Sequence, residues 1–269
     1  MSDDIEALTP PAADVRRIAY GADRWQFGDL RLPAGPGPHP VVITIHGGFW
    51  RARYGLDYLR YVAAALSAAG LATWNIEYRR IGNAGGGWPG TFLDVAAAAG
   101  HVRALATTYP LELGRVVALG HSAGGHLAYW LAGRHHITPG SPLYANEPLP
   151  LAGAVALAGV LDLRRAWALR LSDNATAALM GGAPDDLADR YAAGSPRALL
   201  PLGVRQILVH GTADDSVPYE ISADYAAAGC AAGDPVELLT FPDGGHFECV
   251  DTRTPEWQAV LAGVQRLAR

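Results

Sequence analysis

Six strand-like runs, the first of them the continuous β-branched Val41–His46, constrain this chain more than any other feature. They are Val41–His46, Leu71–Tyr78, Arg115–Gly120, Leu151–Val160, Gln206–His210 and Val236–Phe241. Runs of this kind, without polar alternation, suit strands buried on both faces, as in a parallel sheet. Helical patterns lie between them. Leu56, Leu59, Ala63 and Leu66 form one apolar stripe that ends near Gly70. Thr91 with Asp94 three residues on reads as a helix cap, with the helix running to about Tyr109. Ala123–Gly133, Ser222–Ala232 and Pro255–Ala268 read as further helices. The β-α alternation predicts an α/β fold, a mostly parallel doubly wound sheet with helices on both faces.

Two short strands, Ile18–Tyr20 and Trp25–Leu32, are expected before the first long run, with a turn at Gly21–Asp23. Residues 1–14 are polar with Pro10-Pro11 and read as a loose arm. Between Asp162 and Gly203 about forty residues separate two strands, where most connections are far shorter. Helical patterns at Arg164–Leu171, Asn174–Leu179 and Asp185–Ala193 make 162–203 a lid-like helical insertion over the sheet edge. With 269 residues, no internal repeat and no linker, one domain over 1–269 is expected.

Composition narrows the function. Net charge is −5 with no basic run, which argues against a nucleic-acid or anionic-membrane partner. No stretch approaches the roughly 18 apolar residues of a membrane span. The acidic start, Met1-Ser-Asp-Asp-Ile-Glu, does not read as a signal peptide, so a cytoplasmic protein is expected. Cys230 and Cys249 alone make neither a disulfide framework nor a four-Cys zinc site. His135-His136 has no partner set at ligand spacing, so no metal is expected. Gly85-Gly-Gly-Trp88-Pro-Gly90 matches G-x-G-x-x-G, but it does not follow the first strand, and Trp88 and Pro89 crowd the phosphate position. No organic cofactor is expected either.

Four motifs sit at predicted strand ends, where an open α/β sheet places its site. Gly120-His-Ser122-Ala-Gly124 matches G-x-S-x-G between a strand and a helix, which puts a serine on a sharp strained turn. As a bland alternative, Ser122 could merely cap the helix. His46-Gly-Gly48-Phe49-Trp50 follows the first long strand, and its glycines let backbone amides turn toward a developing oxyanion. The N–H groups of Gly48, Phe49 and Ala123 are the expected donors. Asp214-Asp-Ser-Val-Pro218 and Gly244-Gly-His246 follow the last two strands. A serine hydroxyl needs a contacting base, and the base needs a carboxylate to fix its tautomer. Ser122, His246 and Asp214 fill those roles, with Asp215 as the competitor for the acid.

On these motifs the chain resembles the α/β-hydrolase superfamily from about Ile18 onward. It is most similar to the kynurenine formamidase (arylformamidase)-like and small serine esterase branch, through His46-Gly-Gly-Phe-Trp50 and Gly120-His-Ser-Ala-Gly-Gly-His126. The resemblance implies Ser122 as nucleophile, His246 as base and Asp214 as acid, the last from D-x-x-V-P. Phe49 stands where hormone-sensitive-lipase relatives carry a third glycine, and His121 where they often carry Asp. The expected activity is hydrolysis of a short-chain or aromatic carboxylic ester through an acyl-enzyme, acting on a small-molecule ester or amide. Hydrolysis of N-formylkynurenine or a related amide is the alternative. A non-catalytic binding protein of the same fold is a third.

Trp50, Trp88, Trp167, Leu171 and Met180 are candidates for the substrate pocket, and each would serve equally as core. Arg79 and Arg80 either meet a substrate carboxylate or form structural ion pairs. His121 is expected beneath the serine turn, His126 on a buried helix, and Cys249 as a small buried side chain.

Overall fold

The computed structural model describes residues 15–269; the N-terminal arm expected over 1–14 lies outside them. The strands are β1 (Val15–Ala19), β2 (Phe27–Arg31), β3 (His39–Ile45), β4 (Ala72–Ile76), β5 (Leu111–His121), β6 (Gly153–Leu157), β7 (Arg205–Gly211) and β8 (Val236–Phe241). They form one eight-stranded sheet in the order β1-β2-β4-β3-β5-β6-β7-β8. Only the pairs β1–β2 and β2–β4 are antiparallel; the rest of the sheet is parallel.

The helices are α1 (Arg60–Ala68), α2 (Gly90–Leu105), α3 (Ala123–Gly133), α4 (Leu163–Ala168), α5 (Leu171–Met180), α6 (Ala188–Gly194), α7 (Glu220–Ala231) and α8 (Pro255–Leu267). Alternate residues of each central strand feed two cores, because successive side chains leave opposite faces. Val41, Ile43 and Ile45 of β3 join Val95, Ala98 and Val102 of α2 and Leu127 of α3. Val42 joins Val62 and Leu66 of α1 and Trp257, Val260 and Val264 of α8 on the other face. Cover on both faces is the physical reason β3 reads as a run without polar alternation, its buried Thr44 hydroxyl donating to Asn75 Oδ1 of β4 at 2.9 Å.

Two local expectations are corrected. Thr91 lies inside α2 and does not cap it: its hydroxyl donates to the Arg79 carbonyl at 2.6 Å and accepts from Gly87 N–H at 3.0 Å. Asp94 forms a two-pronged pair with the Arg79 guanidinium, at 2.8 and 2.6 Å, so it is not a capping acid. The insertion is helical as expected, with different bounds. Its α5 opens on a left-handed stretch at Ser172, Asp173 and Asn174 before regular helix begins. Among the described residues no helix is long and apolar enough to cross a membrane.

Candidate active site

Ser122 stands between β5 and α3 with φ 56° and ψ −120°, a conformation L-residues rarely adopt. Three contacts hold it there. Its N–H donates to Leu157 O at 2.8 Å, and its carbonyl accepts from His126 N and Val160 N at 3.2 and 3.3 Å. The flanking glycines are sterically required. A Cβ on Gly120 would lie 2.0 Å from Gly124 O, and one on Gly124 would lie 1.9 Å from Ile45 O. The turn therefore presses against the end of β3, from which the next loop leaves.

That loop, His46 to Trp50, runs through left-handed backbone at Gly48 (φ 101°), Phe49 (φ 47°) and Trp50 (φ 57°). Gly47 packs on the serine turn, where a Cβ would come within 2.8 Å of Ser122 Cβ. Its N–H donates to Tyr58 Oη at 2.6 Å. His46 Nδ1 faces the Gly47 carbonyl at 2.8 Å, and its Nε2 faces Glu77 Oε1 at 2.8 Å. Burial opposes ionisation of Glu77, but His46 and Arg80 beside it hold its carboxyl below the usual range. Among the described residues no acceptor takes the N–H of Gly48, Phe49 or Ala123.

The carboxylate and base loops interlock. A Cβ on Gly211 would lie 2.0 Å from Gly244 O, and Ala213 N–H donates to that same oxygen at 2.9 Å. Asp214 Oδ2 lies 2.7 Å from His246 Nδ1 and 3.0 Å from His210 Nε2. Its Oδ1 accepts from Ser216 N and Val217 N, each at 2.8 Å. Burial alone would raise its pKa, but the hydrogen bonds from His210 and His246 outweigh that and hold the carboxyl well below the carboxylate range. Asp215 takes only the Ser216 hydroxyl, at 3.1 Å on the surface. It is thus Asp214 that meets the imidazole.

Gly48, Phe49, Ser122 and His246 line one cavity of about 210 Å³. Tyr54, Tyr58, His121, Ser216 and Phe247 complete its wall. None of the five apolar candidates named from sequence does so. Trp50 is wholly buried, because the left-handed turn swings its indole inward to donate to His126 Nδ1 at 3.2 Å. Met180 is wholly buried, and Trp167 and Leu171 pack against the core. Trp88 packs edge-on to Phe92 and lines a different, open depression with His136 and Arg190. Arg79 pairs with Asp94, and Arg80 pairs through Nη1 with Glu77 at 3.1 Å, its Nε and Nη2 being buried without a hydrogen-bond partner among the described residues.

The neighbouring histidines have structural partners. His126 Nε2 faces Gly194 O at 2.8 Å, and burial pushes its pKa down to about 4. His121 lies under the serine turn, bonded to Tyr58 and to the His246 carbonyl. Cys249 is buried and its thiol pKa pushed up by desolvation, so it is no nucleophile at neutral pH. Among the described residues no three His, Cys, Asp or Glu side chains group as metal ligands.

Sequence reasoning missed Tyr54, Tyr58, Ser216, Phe247 and His210. Signals existed for some of them. Tyr54 and Tyr58 are four apart just after the glycine loop, Phe247 adjoins the base, and Ser216 lies within the D-x-x-V-P run.

This geometry agrees with what the chain is similar to. A family model described as BD-FAE matches residues 29–228. No curated protein matches. Among solved structures, a bifunctional GH43-CE protein of Bacteroides eggerthii is 27% identical with a TM-score of 0.76, over 94% of this chain and 38% of that one. The chain therefore spans well under half of that bifunctional protein. A truncated carbohydrate esterase from gut microbiota is 23% identical with a TM-score of 0.80, over 94% of this chain and 95% of that one. Esterase 2 of Thermogutta terrifontis, phosphonylated by sarin, is 23% identical with a TM-score of 0.76, over 96% and 95%. The fold is that of the α/β-hydrolases, and the chain belongs to the BD-FAE family of α/β-hydrolase-type esterase domains.

Proposed function

We propose that the chain hydrolyses a carboxylic ester of a short acyl group through an acyl-enzyme on Ser122. One observation carries the reading: the strained Ser122 and the Asp214-bonded His246 open onto the same small cavity. In the acylation step His246 Nε2 takes the Ser122 proton as Oγ attacks the carbonyl carbon. Asp214 accepts from Nδ1 and so keeps Nε2 free of a proton beforehand. The N–H groups of Gly48, Phe49 and Ala123 receive the oxyanion. His246 then protonates the leaving alkoxide, and the same base draws a proton from water for deacylation.

The cavity's volume supports a short acyl group. About 210 Å³ is below the roughly 300–1,000 Å³ typical of pockets that enclose a drug-sized ligand. The acyl group would enter, with the alcohol left at the mouth. Phe49, Tyr54 and Phe247 on the wall also favour a second reading, hydrolysis of an aryl amide such as N-formylkynurenine. The names of the structural neighbours favour the ester, and a sugar alcohol is a natural leaving group to try.

The test compares p-nitrophenyl acetate, an acetylated sugar and an N-formyl anilide as substrates for the wild type and Ser122→Ala. The expected result is ester turnover that Ser122→Ala abolishes without loss of folding. Substantial residual activity in that variant would overturn the mechanism, and preference for the formyl anilide would select the second reading.

A further inference from the structure

The proposed chemistry needs three loops in register: the glycine loop after β3, the turn at Ser122, and the loop carrying His246. One buried chain of hydrogen bonds joins all three. Gly47 N–H donates to Tyr58 Oη at 2.6 Å. Tyr58 Oη lies 2.9 Å from His121 Nδ1, and His121 Nε2 lies 2.9 Å from the His246 carbonyl oxygen. His121 immediately precedes Ser122, so the middle of the chain is anchored to the turn itself.

The direction of every bond follows from counting protons. A carbonyl only accepts, so His121 Nε2 carries a hydrogen. Burial, with His246 nearby, pushes the His121 pKa down to about 3, so the ring is neutral and its Nδ1 is bare. The one hydroxyl hydrogen of Tyr58 therefore goes to Nδ1, and the phenol oxygen is left to accept from Gly47. Each donor has one acceptor, and all bonds run the same way.

We propose that Tyr58 and His121 are positioning residues that lock the oxyanion loop and the base loop to the nucleophile turn through this relay. The proposal rests on the serine-hydrolase reading above. At one end, Gly47 is pinned on both sides, its N–H by Tyr58 and its carbonyl by His46 Nδ1 at 2.8 Å. The Gly47 carbonyl shares a planar peptide with the Gly48 N–H, so His46 sets the direction of that N–H while Tyr58 fixes the peptide immediately before it. At the other end, the backbone of His246 is held by His121 while its ring is held by Asp214. The Cys249 thiol reaches the same carbonyl only as a weak donor at 3.6 Å.

Tyr58→Phe removes the hydroxyl and keeps the ring in the cavity wall. His121→Gln keeps a donor near the Nε2 position and removes the acceptor that Tyr58 uses. Both break the oxyanion side of the relay. For p-nitrophenyl acetate, kcat should fall by roughly 10- to 100-fold with KM within about twofold, because the loss is of alignment and not of uniform binding. The double variant should be about as slow as the slower single one, since one chain cannot be broken twice. A trifluoromethyl ketone, which forms an oxyanion on attack by serine, should lose affinity by a similar factor.

Wild-type kcat in both variants, or losses that multiply in the double variant, would overturn the relay. If Tyr58→Phe fails to fold, His121→Gln with the same kcat, KM and ketone readouts decides alone. Ser122→Ala in the same assay separates the two levels. If it is inactive while the relay variants are normal, only the relay falls; if it is fully active, the hydrolase reading falls too.

Discussion

Asp214→Asn asks whether the carboxylate sets the tautomer of the base. Asp214 Oδ1 receives two backbone N–H groups, from Ser216 and Val217, each at 2.8 Å. Oδ2 receives His246 Nδ1 at 2.7 Å and His210 Nε2 at 3.0 Å. An amide offers one oxygen and one NH₂. Turning the NH₂ toward two N–H groups would set donors against donors, so the amide oxygen must take the Oδ1 place. The NH₂ then faces both imidazoles. His210 keeps an acceptor in Val217 O at 2.9 Å. His246 has none, so its Nδ1 must become an acceptor and its proton must move to Nε2. That is the nitrogen required to take the Ser122 proton. A wrong tautomer of this kind costs about 10⁴ in kcat in a serine protease triad, which corresponds to about 5 kcal/mol of barrier. We therefore expect kcat for p-nitrophenyl acetate to fall by roughly 10³- to 10⁴-fold with KM little changed. Lost charge-assisted hydrogen bonds should lower unfolding stability by about 1–3 kcal/mol, read by urea titration. Activity within tenfold of wild type in Asp214→Asn, together with an inactive Asp215→Asn, would refute the argument.

Gly120→Ala would set a Cβ 2.0 Å from Gly124 O, so the serine turn must open; thermal unfolding should show a loss of about 3 kcal/mol or more. Ser122→Gly should melt above Ser122→Ala, because the φ of 56° strains any residue with a Cβ by about 1–3 kcal/mol, and equal melting would contradict that strain. Asp214 has a depressed pKa in the folded state, so its stabilisation is full above the unfolded value of about 3.9 and is lost as pH falls through that value toward the folded one. Melting between about pH 4 and pH 2 should therefore drop more steeply for wild type than for Asp214→Asn, and parallel curves would contradict the assignment.

What could be read from the sequence was what depends on local pattern. Val41, Val42, Ile43 and Ile45 are apolar because both faces of β3 are covered, and a run of this kind marked a parallel strand. The pairing of Asp214 with His246 was legible because each loop follows its own strand at the same edge of the sheet. What could not be read depends on side-chain direction and on long-range contact. Trp50 looked like a pocket residue until two consecutive left-handed residues turned its ring into the core. Thr91 and Asp94 match a capping box in spacing, yet Arg79 and its carbonyl claim both side chains from the adjoining loop. His121 meets Tyr58 across 63 residues and His246 across 125, separations over which spacing carries no information.

The central claim is that Ser122 is the nucleophile, and covalent capture tests it most directly. A fluorophosphonate probe, followed by peptide mapping, should place one adduct on the peptide containing Ser122 and none in Ser122→Ala. An adduct on another residue, or an unlabelled enzyme that still hydrolyses esters, would contradict the account.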